Sequence, residues 1–212
     1  MFRRGGALAI VIFLWGTLPV VAADSPDIRL TTTQDKDGVF HTRGEVSLPY
    51  STAIVDRAMT NMDDYNVWAP RWQDGRDPES AKEIFQLTGT KPHNAFLDLI
   101  YRIKLVWPFG SEGNIITLKT QFPVPDQGAV RRIIFTQKNA SIAVDRLEGD
   151  FYLFREGNGS LVRLDCQVRL AWFLRPFFPL SFYEHYIVNR IRTALKSFAL
   201  YASGTSGADT NS

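Results

Sequence analysis

The sequence lacks most of what marks an enzyme or a covalently stapled scaffold. One of its 212 residues is cysteine, Cys166, so no internal disulfide can form and stability must come from a packed core. The three histidines, His41, His93 and His185, are far apart and show no HExxH or CxxC spacing, which leaves a metal site without support. No GxSxG elbow, Walker loop or GxGxxG fingerprint occurs, so the sequence signs of a serine hydrolase, a phosphate cradle or a dinucleotide site are missing. No cofactor is expected. Charge of one sign is missing too, with 24 Lys plus Arg against 22 Asp plus Glu. A net basic field of the kind that draws proteins onto nucleic acid is absent, and no nucleic-acid partner is expected.

Long apolar runs are equally scarce. Ala7 to Leu18 is interrupted by Trp15-Gly16-Thr17, is followed by Pro19, and falls short of the roughly 20 residues a membrane span requires. Arg3-Arg4 precede it and Val21-Ala22-Ala23 follow, the layout of a secretory signal peptide over residues 1–23, cleaved near Ala23. An uncleaved anchor is the alternative. The leader implies a periplasmic or secreted protein, and its loss leaves the chain formally neutral.

What remains is 45% hydrophobic and 13% aromatic over the whole chain, enough for one domain, expected over residues 26–203. Ile28 to Thr33 and Val39 to Leu48 alternate around the turn residues Asp35 to Gly38, which predicts a hairpin. Pro49 opens a short helix over Ser51 to Thr60, and Met62 to Trp68 reads as a second, followed by a surface loop from Arg71 to Ser80. Strands are expected over Ala81 to Leu87, Ala95 to Trp107, Asn114 to Phe122, Ala129 to Lys138, Ile142 to Arg155 and Ser160 to Leu174.

The last long segment, Ser181 to Ala202, carries Tyr183, Ile187, Ile191, Ala194, Leu195, Phe198 and Ala202 at spacings of three and four, one apolar stripe of a helix. Ser181 and Glu184 have the spacing of a capping box, and Gly204 is the expected stop. The polar tail 204–212 is expected to be disordered. Strands that alternate and one helix with a single greasy stripe predict an α+β fold in which a curved antiparallel sheet wraps that long C-terminal helix.

Four places in this order of elements resemble the START-like superfamily: Glu45-Val46-Ser47-Leu48-Pro49, Asp63-Asp64-Tyr65-Asn66-Val67-Trp68, Val106-Trp107-Pro108-Phe109 and Leu147-Glu148-Gly149-Asp150-Phe151. That superfamily, with the helix-grip fold, includes lipid-binding START, polyketide cyclase-type and coenzyme Q-binding proteins. The resemblance implies a cavity for an apolar ligand between sheet and C-terminal helix. Proteins of the START branch often have an Arg-Asp pair soon after the Trp-Pro element. Here Ser111-Glu112-Gly113 stands in its place.

On this reading the expected ligand-lining residues are Trp68, Tyr101, Ile103, Phe122, Arg132, Ile134, Phe151, Trp172, Tyr186, Ile187, Ile191 and Phe198. Arg132 is placed inward by parity with Ile134, where it must be paired or meet a polar headgroup; the alternative is a surface arginine with the register slipped by one. A solid aromatic core is the alternative to a cavity. Phe177 and Phe178, bracketed by Pro176 and Pro179, form an apolar tip that touches a membrane, gates the cavity or packs beneath the helix. Cys166, alternating with Leu164 and Val168, reads as an inert core residue.

Three functions fit: a carrier or sensor of a lipid or other hydrophobic small molecule, which leads; a cyclase or dehydratase working through Tyr101, Arg132 or Tyr186; and a structural module with a filled core. No catalytic residue and no metal ligand is assigned.

Overall fold

The computed structural model describes residues 26–61, 85–93, 96–103, 114–123 and 128–208. The leader, the second expected helix, the loop after it, and the motifs at residues 63–68 and 106–109 lie outside these residues.

Eight strands form one antiparallel sheet in the order β1-β2-β8-β7-β6-β5-β4-β3. They are β1 (Ile28–Gln34), β2 (Val39–Leu48), β3 (Phe85–His93), β4 (Phe96–Ile103), β5 (Asn114–Gln121), β6 (Arg131–Gln137), β7 (Val144–Glu156) and β8 (Gly159–Leu170). The sheet is open, with β1 and β3 as its edges. Helix α1 (Thr52–Thr60) follows β2. The C-terminal helix α2 runs from Leu180 to Ala208, as α-helix Leu180–Tyr183, a π-helical turn Glu184–Val188 and α-helix Asn189–Ala208. This is the expected α+β helix-grip architecture.

The first hairpin forms where its turn chemistry placed it. The Asp35 carboxylate accepts the N–H groups of Asp37 and Val39, both at 2.9 Å, and Gly38 takes the left-handed φ of +76° that closes the turn. In β8, Ser160, Val162, Leu164, Cys166, Val168 and Leu170 are buried while the residues between them are half-buried. One face therefore meets the helix and the other faces out. Register extends the inner face to Phe40, Thr42, Gly44 and Val46 in β2 and to Phe151 and Leu153 in β7. A bulge at Asp145 adds one residue to β7, so Val144 and Leu147 share the inner face although three apart.

Helix α2 lies across β1 and β2 and against α1. Gly44 makes the approach possible: a Cβ there would sit 2.8 Å from Leu30 Cδ2 and 3.1 Å from Leu195 Cδ1. The start of α2 differs from expectation. Pro179 is the N-cap, its carbonyl receiving the N–H groups of Phe182 at 3.0 Å and Tyr183 at 3.1 Å, so Ser181 is already helical and the Ser181–Glu184 capping box does not form. The far end differs too, since the helix passes through Gly204 to Ala208. A single glycine weakens a helix without stopping it when the following residues keep helical geometry.

The π turn was not legible in the sequence, but its geometry fits the stripe. Tyr183, Ile187, Ile191 and Leu195 advance in steps of four, and each such step overshoots a full α-helical turn by about 40°. A wider turn at Glu184–Val188 absorbs part of this drift and keeps the stripe on the sheet.

Candidate functional site

The space between sheet and helix divides into two regions of unequal closure. Towards the C-terminal half of α2, Val46, Val55, Ala58, Leu153, Val162, Leu195, Phe198, Ala199 and Ala202 form a tightly shut cluster beneath α1. Towards its N-terminal half, a cluster around Phe40, Leu99, Leu118, Phe135, Leu164 and Tyr183 is edged by inward-facing apolar side chains that remain only half-buried: Tyr101, Leu147, Phe151, Ile187 and Ile191. These inward apolar groups, still accessible to solvent, make this end the open region of the inner face. Phe151, Ile191 and Leu30 touch both clusters and form the seam between the closed and the open part.

A narrow polar track crosses this inner face. The Tyr183 hydroxyl lies 3.3 Å from Thr42 Oγ1, which lies 3.2 Å from Thr32 Oγ1. Burial raises the Tyr183 hydroxyl above its ordinary range, and burial likewise pushes the Cys166 thiol up to about 12. Both groups keep their protons at neutral pH, and with Tyr183 fully buried and Thr42 2% exposed the track satisfies its hydroxyls within the core. At the border of the inner face Arg131 makes two hydrogen bonds to Asp56 of α1, Nε to Oδ1 at 2.6 Å and Nη2 to Oδ2 at 2.9 Å. Hydrogen bonding to that carboxylate raises the Arg131 pKa, so the guanidinium stays charged and its two bonds pin α1 to β6. Among the described residues no three His, Cys, Asp or Glu side chains come together as a metal site.

Of the expected lining residues, the structure brings Tyr101, Phe151, Ile187 and Ile191 to the open region, while Phe198 is buried in the closed cluster. Phe122 is half-buried just beyond the end of β5. Ile103 pairs with Asn114 in β4 and Tyr186 falls in the π turn, but their side chains, like the whole of Trp68, lie outside the described residues.

Three residues are placed elsewhere. Ile133 pairs with Phe151 and Phe135 with Gly149, so Ile133 and Phe135 face the helix and Arg132 and Ile134 face out. The inward arginine of the pair is Arg131. On the outer face Arg132 and Ile134 line an open groove of about 630 Å³, where Arg132 Nε bonds Asp150 at 2.7 Å and Arg43 Nε bonds Asp165 at 2.6 Å. Trp172 shares the parity of the inner residues of β8, but the strand ends at Leu170 and the chain turns, leaving Trp172 exposed. Phe178 also parts from Phe177: it packs on the inner cluster and meets the Phe182 ring edge-on at 4.5 Å, while Phe177 is exposed.

Sequence reasoning missed the Tyr183–Thr42–Thr32 track. The alternation of Thr32 with Leu30, and of Thr42 with Phe40 and Gly44, was the signal that could have found it.

No family model and no curated protein matches this sequence. Solved structures do match it in fold. The Zhui aromatase/cyclase of a Streptomyces species superposes with a TM-score of 0.52 at 11% identity, over 78% of this chain and 94% of that one. The lipid transfer and protein localization domain of human StarD13 gives 0.51 at 8% identity, over 82% and 84%. The two-domain aromatase/cyclase StfQ of the steffimycin biosynthetic pathway gives 0.56 at 9% identity, over 81% of this chain and 53% of that one. At such identities the likeness shows the fold alone, and that fold is START-like.

Proposed function

We propose that this protein is a carrier or sensor that holds a lipid or another hydrophobic small molecule between the sheet and the N-terminal half of α2. The observation that carries this reading is the set of inward, half-buried apolar side chains Tyr101, Leu147, Phe151, Ile187 and Ile191. Covering their remaining surface with an acyl chain or a fused ring gains about 25 cal/mol per Å² of apolar area removed from water.

The StarD13 domain is a lipid transfer domain and Zhui and StfQ are aromatase/cyclases, which supports an apolar guest of either acyl or polycyclic kind. Export through the leader at residues 1–23 would place this activity in the periplasm or outside the cell.

Protein purified from its native host compartment, extracted with organic solvent and examined by mass spectrometry should yield a retained hydrophobic molecule at near one per chain. An empty extract, together with no binding to a panel of membrane lipids and aromatic polyketides, would end this reading in favour of a filled structural module.

A further inference from the structure

Three of the five large apolar side chains exposed among the described residues lie on two neighbouring segments. Trp172 is 77% exposed, Ile142 67% and Phe177 64%. They come from two segments held together at their roots: Ala171 N–H donates to the Ala143 carbonyl at 3.0 Å, and Arg175 Nη2 meets Asp145 Oδ2 at 2.9 Å. Ala171 and Leu174 are buried between them, so the backbone is anchored while Trp172 and Phe177 project from consecutive turns. Behind the tip runs a groove of about 620 Å³ whose lining carries Lys36, Arg146, Arg169 and Arg175 beside Asp35 and Asp37.

We propose that the Ile142–Trp172–Phe177 tip docks the protein on a phospholipid bilayer. Three largely exposed apolar side chains held on turns suit insertion among lipid headgroups, where an indole keeps its N–H wet and its ring in the apolar zone. The guanidinium groups behind the tip are engaged within the protein, Arg175 and Arg169 with Asp145 and Arg146 with Glu148, while Lys36 and Asp37 in the groove present one charge of each sign to a headgroup's phosphate and ammonium. Mixed signs make the surface complementary to a zwitterionic interface, so salt weakens docking little. The tip stands at the entrance to α2, immediately before the half of the helix that covers the open region. This inference rests on the carrier reading for its purpose, since a carrier must meet a membrane to load, but not for its geometry.

The test uses the chain from Asp24 onward, which holds every described element, and sedimentation with phosphatidylcholine vesicles, with and without phosphatidylglycerol, at low and high salt. Wild type should partition to both compositions, with less than a threefold change on adding salt. The triple variant I142S/W172S/F177S should bind at least tenfold more weakly while keeping the wild-type circular dichroism and melting temperature. Quenching of tryptophan fluorescence by brominated lipid should fall in the single variant Trp172→Phe.

Wild type that ignores vesicles of both compositions overturns the proposal, and so does a triple variant that binds as well as wild type. So does a wild type that instead forms a dimer which the triple variant breaks. Solvent extraction of the same samples separates this inference from the carrier reading: an empty protein that still docks through the tip loses only the cargo, and a loaded protein that does not dock loses only the tip.

Discussion

The Tyr183 ring lies flat on the Phe40 ring, centroids 4.0 Å apart and planes 4° from parallel. Helix α2 and strand β2 therefore meet through a stacked pair with no measurable solvent exposure at Tyr183 and 1% at Phe40. The stack, rather than the hydroxyl, holds this junction. Tyr183→Ala should cost about 3–5 kcal/mol, because a buried aromatic is replaced by a cavity. Tyr183→Phe removes only a 3.3 Å hydrogen bond from Thr42, which keeps Thr32 as a partner, so the loss should stay under about 1.5 kcal/mol. Urea unfolding of both variants checks the order. Equal losses would mean that the hydroxyl, not the ring, fixes the helix.

Glycine at position 44 is a packing requirement. Its added Cβ would meet the ends of half-buried Leu30 and buried Leu195, which must shift to admit it, so Gly44→Ala should destabilise by about 1 kcal/mol. Shortening the opposing side chain should return part of the loss, and the double variant with Leu195→Ala should be more stable than the sum of the single effects predicts. Strict additivity would show that Gly44 is needed for another reason.

Much of this arrangement could be read from the residues before any coordinates. The β8 alternation, the Asp35–Gly38 turn and the stripe on α2 each repeat one signal over many residues, and repeated signals survive local exceptions. The errors sit where the signal is one or two residues long. Arg131-Arg132-Ile133-Ile134-Phe135 pairs like with like, so parity can be started from either isoleucine. Only the register of Phe135 opposite Gly149 decides it. Trp172 follows the β8 pattern by number but lies past the point where Ala171 turns to bond Ala143. The π turn is a compromise between helix pitch and sheet contact, a tertiary demand that periodicity cannot announce.

Cys166 should be silent to thiol reagents in the native state and reactive in urea, because burial holds its proton. Its effect on stability has a definite sign. The unfolded thiol titrates near 9.0 and the folded one near 12, so the folded state binds more protons between those values. Stability from this group is complete below about pH 9 and drains away as pH rises towards 12, at up to about 1.4 kcal/mol per pH unit. Cys166→Ala should flatten this alkaline slope, leaving a fall above the ordinary Tyr value of 10.0 from Tyr183, whose pKa is also raised. A slope unchanged by the substitution would place the thiol in contact with water.

The Arg131–Asp56 pair ties α1 to the sheet through two hydrogen bonds, each partner about one quarter exposed at the side chain. Removing one partner leaves the other half-buried and unpaired, so Asp56→Asn or Arg131→Met should each cost about 1–3 kcal/mol. Removing both should cost less than the two losses added. Hydrogen exchange at Val55 and Ala58, which pack under α2, should speed up in either single variant before global unfolding does. Unchanged exchange there would detach the ion pair from the position of α1.

The two ends of the inner space should respond in opposite ways to added bulk. Ile187 and Ile191 are half-buried at the open region, so Ile191→Trp or Ile187→Trp extends into room that is already there and should change stability by less than about 1.5 kcal/mol. The same variants should retain several-fold less of any co-purified hydrophobic molecule, because the new ring occupies its place. Ala202, with no exposure, lies in the closed cluster, and Ala202→Leu there overfills a shut space and should cost about 1–3 kcal/mol without a specific effect on ligand retention. Ligand retention and chemical denaturation measured on the three variants separate the regions. If both isoleucine variants unfold as readily as Ala202→Leu, the open region is a packed core and the half-buried side chains owe their exposure to the edge of the fold rather than to a chamber.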